Sequence, residues 1–218
     1  MPTCWAAGPA RIATRLLRER SARVAALEPG ASMAAELYRA EPEVPLVRGE
    51  GNRLPFAADS FDVIAYAQAW HWTDPAFRWQ RAAAAVSEGG ALALFWNRDY
   101  VADPYVARLI GSALATYAPQ IAVDESIDEA SLTMSWPWGD LNSRAEFTDL
   151  NVLTYRRERS ISSADYVSTL STRSAFRILD PLVRERLFGE FRTQLPEQID
   201  LHIATVLYLA RRTASHFS

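Results

Sequence analysis

Short apolar runs alternate with longer amphipathic segments over the first 97 residues of the chain. The run Val24–Leu27 is uninterrupted, which is typical of a strand covered on both faces of a parallel sheet. Three more runs are predicted strands, at residues 44–47, 61–67 and 91–96, and helices are predicted at residues 9–20, 31–40 and 74–86. This alternation predicts an α/β fold with a doubly wound, mostly parallel sheet.

The pattern changes after Asn97. An amphipathic helix is predicted at residues 104–117, followed by an irregular stretch at 118–143. A small helical cap insertion is predicted in this part of the chain, with Trp136, Trp138, Tyr166, Thr172 and Arg173 in the cap-like region. Strands are predicted at residues 151–158 and 201–209, with helices near 163–170 and 180–194 between them. We expect these last two strands to pair antiparallel at one edge of the sheet.

No repeat, low-complexity tract or linker interrupts the chain, so residues 1–218 are predicted to form a single domain. Within it, residues 1–97 make one half and residues 98–218 the other, which holds the cap and the final strands.

Charge and composition exclude several partners. The net charge is −3 and the pI about 5.7, so we expect no general attraction to nucleic acid or to an anionic membrane. No apolar run approaches the roughly 20 residues of a membrane span, and a cytoplasmic protein is the expectation. All basic residues are arginine, which excludes lysine Schiff-base and Walker-type lysine chemistry.

Metal-ligating residues are sparse. Cys4 is the single cysteine, so an intrachain disulfide and a cysteine metal cluster are both excluded. The three histidines, His71, His202 and His216, have no metal-ligand spacing. We therefore predict no metal site.

Glu28 is the first candidate for a binding residue. It follows the strand 24–27, and Pro29-Gly30 then break the pattern before Ser32, which is placed to cap the next helix. In an open α/β sheet, ligands bind beyond the carboxyl ends of the strands, and an acid after the second strand commonly holds ribose hydroxyls. A solvated loop carboxylate is the alternative interpretation.

Four segments carry a resemblance to a known family: V-A-A-L-E-P-G-A-S-M (24–33), V-R-G-E-G-N-R-L-P-F (47–56), S-F-D-V-I-A-Y-A-Q-A-W-H-W (60–72) and G-G-A-L-A-L-F-W-N (89–97). In this order they resemble the class I S-adenosylmethionine-dependent methyltransferases. The nearest similarity is to the small-molecule branch with a His-Trp pair, which includes the trans-aconitate-type enzymes. The resemblance implies a Rossmann-like methyltransferase fold, S-adenosylmethionine as cofactor and a small-molecule acceptor. A monomer and a homodimer both stay open.

The resemblance also implies roles for individual residues. Glu28 would hold the ribose hydroxyls, and Glu50 would read the adenine edge. The full set implied for the cofactor is Gly8, Glu28, Pro29, Met33, Glu50, Gly51, Gln68 and Ala69. His71 is the candidate base for a hydroxyl or amine acceptor, with a hydrogen-bonded structural histidine as the alternative. The candidate acceptor residues are Trp70, Trp72, Asn97, Tyr166 and Arg173, of which Arg173 would suit a carboxylate.

The chain departs from the family at its first strand. The family's glycine-rich turn aligns with Ala6, Gly8 and Pro9-Ala10, which leaves one glycine, and only five residues precede this turn. We therefore expect Pro2–Trp5 to form no more than a stub of the central strand, as in a family member that lacks its N-terminal segment.

Two alternatives to an active methyltransferase stay open. The altered glycine turn suits a catalytically inactive methyltransferase-like protein that binds a partner or ligand. A nicotinamide-dependent oxidoreductase would also place an acid after the second strand, and Glu28 lies 20 residues after Gly8. However, Ala6 and Arg11 occupy the flanking glycine positions of that motif.

Overall fold

The structure is a computed structural model that describes residues 3–7, 15, 17–20, 22–50, 56–121 and 136–214. Gly8 and Gly51 lie outside the described residues, as does most of the helix predicted at 9–20, of which residues 15 and 17–19 are helical. The predicted α/β fold is confirmed, with a mostly parallel sheet and antiparallel strands near its end.

Within the described residues the sheet has seven strands in the order β3-β2-β1-β4-β5-β7-β6. In chain order they are β1 (Thr3–Ala7), β2 (Arg23–Leu27), β3 (Leu46–Val47), β4 (Phe61–Ala67), β5 (Val86–Val101), β6 (Phe147–Ser162) and β7 (Gln198–Arg212). β1 pairs in parallel with β2 and β4, so it holds a central position. β3 and β5 extend this parallel part on its two sides.

The helices lie between these strands: α1 (Ala31–Ala40), α2 (Arg78–Ala85), α3 (Pro104–Tyr117), α4 (Trp138–Asn142), α5 (Ser163–Thr172), α6 (Ser174–Arg177) and α7 (Pro181–Gln194). A short 3₁₀ turn covers Trp70–Trp72. The predicted bounds of β4, α1 and α3 are confirmed to the residue.

The chain divides into two compact units. The first comprises Met1–Asn97, Ala130–Thr154 and Val206–Ser218, and the second comprises Arg98–Glu129 and Tyr155–Thr205. Unlike the predicted halves 1–97 and 98–218, the first unit also takes in two later segments of the chain. The organisation as a single domain stays a prediction.

In the first unit, apolar strands are packed on both faces, as their uninterrupted sequence predicts. Ala26, Leu27, Ile64, Leu92 and Leu94 are all at most 1% exposed. Helix α1 covers part of this core with Ala34 and Leu37, and α2 does so with Trp79 and three buried alanines, Ala82, Ala83 and Ala85.

In the second unit, helices α3, α5 and α7 share one apolar core with the ends of the long strands. Its members include Ile110, Leu170, Leu187, Phe191 and Ile199. The three helices begin where polar side chains accept backbone hydrogen bonds: Asp103 from Tyr105, Ser162 from Asp165, and Asp180 from Leu182.

Two predictions about the first strands are wrong. β1 extends through Ala7, and Ala6 pairs with Ala26 and Ala65 instead of lying in the predicted turn. The strand predicted at 44–47 is reduced to β3, although Val44 is buried. A central position between two parallel neighbours satisfies the backbone of β1 on both edges, which stabilises a strand longer than the predicted stub.

The predicted helix stop at Gly89-Gly90 is also wrong, because both glycines lie inside β5. Phe61 pairs with Val86 and Val63 with Ala91, so β5 accommodates extra residues in a bulge. Gly89 has a φ of +71°, and a Cβ on Gly90 would lie 2.8 Å from the Asp62 carbonyl oxygen. Glycine is therefore needed to form the bulge.

One predicted cap and one predicted helix start are also wrong. Helix α1 begins at Ala31 as predicted, but without a side-chain cap, so Ser32 lies inside the helix and does not cap it. Helix α2 begins at Arg78 and not at Asp74, because the Asp74 side chain accepts a hydrogen bond from the Ala76 amide and holds a turn there.

Candidate functional site

The register of the first unit aligns the carboxyl ends of neighbouring parallel strands. Ala7 pairs with Leu27 on one side and with Tyr66 on the other, and Leu27 pairs with Val47. The residues that follow these strands therefore emerge at the same edge of the sheet. They include Glu28 after β2 and Gln68 after β4, both predicted to contact a cofactor.

Glu28 is a buried carboxylate with a fixed orientation. It is 5% exposed, and its Oε1 accepts a hydrogen bond from the Gly30 amide over 2.8 Å. The Glu28 amide in turn donates to the Val47 carbonyl oxygen at 3.1 Å, which continues the β2–β3 pairing. A buried carboxylate needs hydrogen-bond donors to offset its lost hydration, so this side chain is not the solvated loop charge of the alternative interpretation.

Gly30 is a site residue that sequence reasoning missed. A Cβ at this position would lie 3.0 Å from Glu28 Oε1, so the absence of a side chain allows the carboxylate to reach the backbone. The sequence predicts Pro29 as a cofactor residue but Gly30 only as a break in the pattern, whereas the structure shows that Gly30 also makes this close approach available. Gly30 also precedes α1 and accepts a hydrogen bond from the Ala34 amide at 2.8 Å.

The other residues predicted near the adenine are accessible. Pro29 is exposed, and Met33, in the first turn of α1, is 45% exposed. Glu50 is exposed three residues after β3, and its neighbour Gly51 lies outside the described residues. Their predicted contacts with adenine stay predictions.

Gln68 has a φ of +50°, which is uncommon for a residue with a side chain. Its amide donates to the Phe95 carbonyl oxygen at 2.9 Å, so the backbone stays joined to β5 as it leaves the sheet. Such strained residues occur preferentially at ligand sites. Gln68 and Ala69 are both half-buried, at the place where the resemblance implies contact with the methionine part of the cofactor.

The predicted tryptophans separate into one core and one surface residue. Trp70 is 0% exposed, with its ring centroid 4.7 Å from those of both Tyr66 and Trp79, so the structure places it in the core. Trp72 is 67% exposed. Of this pair, only Trp72 has the exposure needed to touch an acceptor.

His71 lies between them on the surface of the 3₁₀ turn. Its ring centroid is 5.0 Å from that of Trp72, and partial removal of the imidazole from water lowers the pKa of His71. Because desolvation disfavours the charged form, the ring is held neutral near pH 7 and is able to accept a proton. Asn97 is exposed at the end of the first unit.

A second feature that the sequence did not predict is the ion pair between Arg78 and Asp140, beside the Trp70 ring. Arg78 is 8% exposed, its Nη2 lies 3.0 Å from Asp140 Oδ2, and its guanidinium stands 5.0 Å from the Trp136 ring centroid. Trp136 Nε1 also donates to Asp140 at 3.2 Å, and its ring lies 5.6 Å from that of Trp96. Arg78 therefore connects the start of α2 to Asp140 of α4 and to Trp136, which precedes α4.

In the second unit, the structure brings the predicted residues Tyr166 and Arg173 together with an unpredicted one, Asp99. Arg173 Nη2 lies 2.5 Å from Asp99 Oδ2. Burial raises the pKa of Tyr166 to about 12, with opposing smaller effects of Arg173, which lowers it, and Asp99, which raises it. The Arg173 charge is thus already matched by a carboxylate.

In the part of the chain that the structure describes, no three histidine, cysteine or acidic side chains come close enough to hold a metal ion. No helix in the same residues combines the length and apolar character of a membrane span.

Residues of the first unit are similar to those of known proteins. Residues 5–94 match a family model described as "Methyltransferase domain". A protein of Mycobacterium tuberculosis named as an uncharacterized methyltransferase is 37% identical over 91 residues, which are 42% of this chain and 37% of the relative's own length. A Schizosaccharomyces pombe protein, also named as an uncharacterized methyltransferase, is 22% identical over 94% of this chain and 81% of its own.

Solved structures with a similar fold cover nearly the whole chain. A candidate type II methyltransferase of Anaeromyxobacter dehalogenans has a TM-score of 0.66 at 18% identity, covering 97% of this chain and 90% of its own. Geranyl diphosphate C-methyltransferase of Streptomyces coelicolor, in complex with Mg²⁺, geranyl diphosphate and S-adenosylhomocysteine, has a TM-score of 0.51 at 12% identity, covering 98% and 73%. The chain therefore has the Rossmann-like α/β fold of these solved methyltransferases, and residues 5–94 are similar to the methyltransferase family model.

Proposed function

We propose that this protein transfers a methyl group from S-adenosylmethionine to a small-molecule acceptor. The observation that carries the proposal is the buried Glu28 carboxylate at the carboxyl end of β2, inside the matched methyltransferase domain. The fold neighbour from Streptomyces coelicolor contains S-adenosylhomocysteine, which supports the cofactor class and not the acceptor.

The residues at this edge fit the cofactor chemically. Glu28 Oε1 is oriented by the Gly30 amide, and a ribose diol would supply further donors to a carboxylate that is otherwise costly to bury. Met33 offers an exposed thioether and Pro29 an exposed apolar surface for a purine face. Gln68 and Ala69 follow the neighbouring parallel strand and would contact the amino-acid end.

When bound, S-adenosylmethionine supplies a sulfonium methyl group that is open to in-line displacement. The protein contributes orientation through Glu28 and Gln68, and a proton acceptor through His71, which is neutral near pH 7. Trp72 is exposed beside that imidazole and would form one wall for an acceptor. A hydroxyl acceptor requires the His71 base, whereas a carboxylate acceptor does not.

We propose an acceptor of the small organic class used by the trans-aconitate-type branch, bearing a hydroxyl or a carboxylate. Because Arg173 is paired with Asp99, a carboxylate at Arg173 would have to compete with an existing ion pair. Replacement of His71 by glutamine distinguishes the two chemistries. Turnover of a hydroxyl acceptor would fall, and that of a carboxylate acceptor would not.

A second candidate function is that of a methyltransferase-like protein that binds a ligand without catalysis. The observation that favours it is that Ala6 and Ala7 belong to β1, so residues aligned with the start of the family's glycine-rich turn are part of the strand. Cofactor binding separates this candidate from an enzyme whose cofactor site works.

Calorimetric titration with S-adenosylhomocysteine tests the proposal. We expect wild-type protein to bind, Glu28→Gln to bind roughly 10- to 100-fold more weakly, and Glu36→Gln to match the wild type. Glu36 is the matched control because it lies exposed on α1, paired with Arg39. No binding by folded wild-type protein would contradict an active methyltransferase, and binding of NADH instead would favour the oxidoreductase.

A further inference from the structure

Trp136 exposes an aromatic ring on the surface of the first unit, two residues before α4. It is 41% exposed, and the resemblance assigns it no role in binding. A single exposed aromatic side chain carries little information by itself. A ring that the fold already holds in place is different, because a ligand then binds it without the cost of ordering the side chain.

Three contacts hold the Trp136 ring. Its Nε1 donates to Asp140 Oδ2 at 3.2 Å, and the Arg78 guanidinium lies 5.0 Å from its centroid. The Trp96 ring contacts it at a centroid distance of 5.6 Å and an angle of 65°, and Trp96 itself packs against Tyr208 at 6.0 Å. The indole is therefore fixed in orientation while a large part of it stays accessible.

Two of these contacts place Trp136 next to the carboxyl ends of β4 and β5. The Arg78 guanidinium also lies 5.5 Å from the ring centroid of Trp70, which follows Gln68 by two residues. Trp96 directly follows the β5 residue whose carbonyl oxygen accepts from the Gln68 amide at 2.9 Å. Trp136 thus contacts residues on both strands beside Gln68, where the methionine end of the cofactor is proposed to lie.

The charges beside the ring oppose a charged ligand of either sign. In the Arg78–Asp140 pair the arginine side chain is 7% exposed and the aspartate side chain 41%, so the carboxylate is the partner that meets solvent. This carboxylate repels an anion that approaches Trp136. The guanidinium 5.0 Å from the ring centroid repels a cation at the same ring, whereas an uncharged ligand meets neither repulsion.

We infer that Trp136 is a specificity-determining residue of the acceptor site and selects an uncharged aromatic acceptor. Aromatic ligands pair with an indole by offset stacking or edge to face, and a saturated ring of the same size does not. The inference rests on the proposed function, which leaves a hydroxyl or a carboxylate acceptor open. Of these two groups only the hydroxyl is uncharged, so the substrate class is an aromatic hydroxyl compound.

Binding of phenol to the full chain without cofactor tests the inference. Cyclohexanol is the saturated counterpart of this probe, and sodium benzoate is its anionic counterpart. The readout is the indole N–H NMR signal of Trp136, assigned with Trp136→Phe. We expect a saturable shift with phenol and at least roughly threefold weaker binding of the other two probes. No saturable shift with phenol, or binding of either counterpart within threefold of phenol, would overturn the inference.

Variants assign the preference to Trp136. Trp136→Leu should remove the preference for phenol over cyclohexanol, Trp136→Phe should keep part of it, and Tyr105→Leu should leave it unchanged. Tyr105 is the matched control, because it is an exposed aromatic residue of α3 in the other unit. The NMR signals of the probes themselves measure affinity in variants that lack the Trp136 indole. A preference that survives Trp136→Leu would contradict the assignment.

Calorimetric titration of the same proteins with S-adenosylhomocysteine separates this inference from the proposed function. Wild-type protein and Trp136→Leu should bind it with the same affinity, which also shows that the variant is folded. Wild-type protein that binds S-adenosylhomocysteine without preferring phenol would overturn the inference alone. Phenol binding at Trp136 without S-adenosylhomocysteine binding would overturn the proposed function, and with it the role of Trp136 as an acceptor residue.

Discussion

Glu28 and Gly30 are joined by a hydrogen bond of 2.8 Å between the carboxylate Oε1 and the backbone nitrogen two residues later. This hydrogen bond lies in the turn between β2 and α1 and orients the buried Glu28 carboxylate. It depends on glycine at position 30, because a side chain there would crowd the carboxylate. The turn is therefore part of the candidate site and more than a connection between β2 and α1.

The substitution Gly30→Ala tests this relationship. The new methyl group would lie 3.0 Å from Glu28 Oε1 and push the carboxylate away, while the φ of −75° at Gly30 is one that alanine adopts readily. We expect affinity for S-adenosylhomocysteine to fall by roughly tenfold, about 1.4 kcal/mol, with little change in the unfolding midpoint.

Gly139→Ala is the matched control for this change. A Cβ at Gly139 would meet nothing within 4 Å, so affinity should equal that of the wild type. Equal affinities for Gly30→Ala, Gly139→Ala and wild type would show that the Glu28 orientation is not needed for cofactor binding.

The pKa of His71 is a second measurable consequence of the site. Burial of part of the ring lowers this pKa below its ordinary value of about 6.5, so the folded chain resists protonation that the unfolded chain accepts. The contribution of His71 to the free energy of unfolding is then complete above about pH 6.5 and is lost as the pH falls through the folded-state pKa.

NMR titration of the imidazole signals measures this pKa, with His71→Gln used to assign the His71 signal. We expect a midpoint below 6.5 in the folded protein and a return to the ordinary value in urea. The same variant should flatten the acid limb of the stability profile. A folded midpoint at or above 6.5 would contradict the lowering of the His71 pKa by burial.

Local sequence patterns predicted the elements that have local causes. Phe61–Ala67 is a mostly apolar run and Pro104–Tyr117 is an amphipathic segment, and the predicted bounds of both match the structure. Gly89-Gly90 has the same local appearance as a helix stop. Its position in β5 depends on the Asp62 carbonyl oxygen of a neighbouring strand, which a local pattern does not contain.

The residues of the candidate site also separate into those that the local sequence predicts and those that it does not. Glu28 follows a recognisable strand, so its position at the sheet edge was predicted from the sequence. Asp99 and Asp140 were missed because their partners Arg173 and Arg78 lie 74 and 62 residues away along the chain. Pairs at this separation form only once the fold has brought them together. In a chain with 23 arginines the sequence does not indicate which carboxylate pairs with which arginine, even for the predicted residue Arg173.

Arg78 is expected to be a stabilising residue of the first unit. Its guanidinium lies 5.0–5.6 Å from the ring centroids of Trp70, Trp79 and Trp136, and it pairs with Asp140. Arg78→Met should lower the free energy of unfolding by about 1–3 kcal/mol, since it removes a charged hydrogen bond and the cation–π contacts. Urea unfolding followed by tryptophan fluorescence measures the change.

Arg186, which is exposed on α7, is the control for the expected decrease in the free energy of unfolding. Arg186→Met removes the same charge from a surface position, where substitutions usually change stability by at most about 0.5 kcal/mol. If the two variants unfolded at the same urea concentration, the Arg78–Asp140 pair would contribute nothing to the fold.

Cys4 reports on the central strand directly, because it is the single cysteine and lies in β1 between Val24 and Val63. It is 2% exposed, and burial, aided by the charge of Asp62, raises the pKa of its thiol. Both effects suppress the reactive thiolate, so a disulfide reagent at pH 8 should label native protein at least roughly 100-fold more slowly than protein in urea. The double variant Cys4→Ser/Ser168→Cys, with its thiol on the exposed face of α5, should react at once. Native Cys4 reacting as fast as that control would mean that β1 is not docked between β2 and β4 in solution.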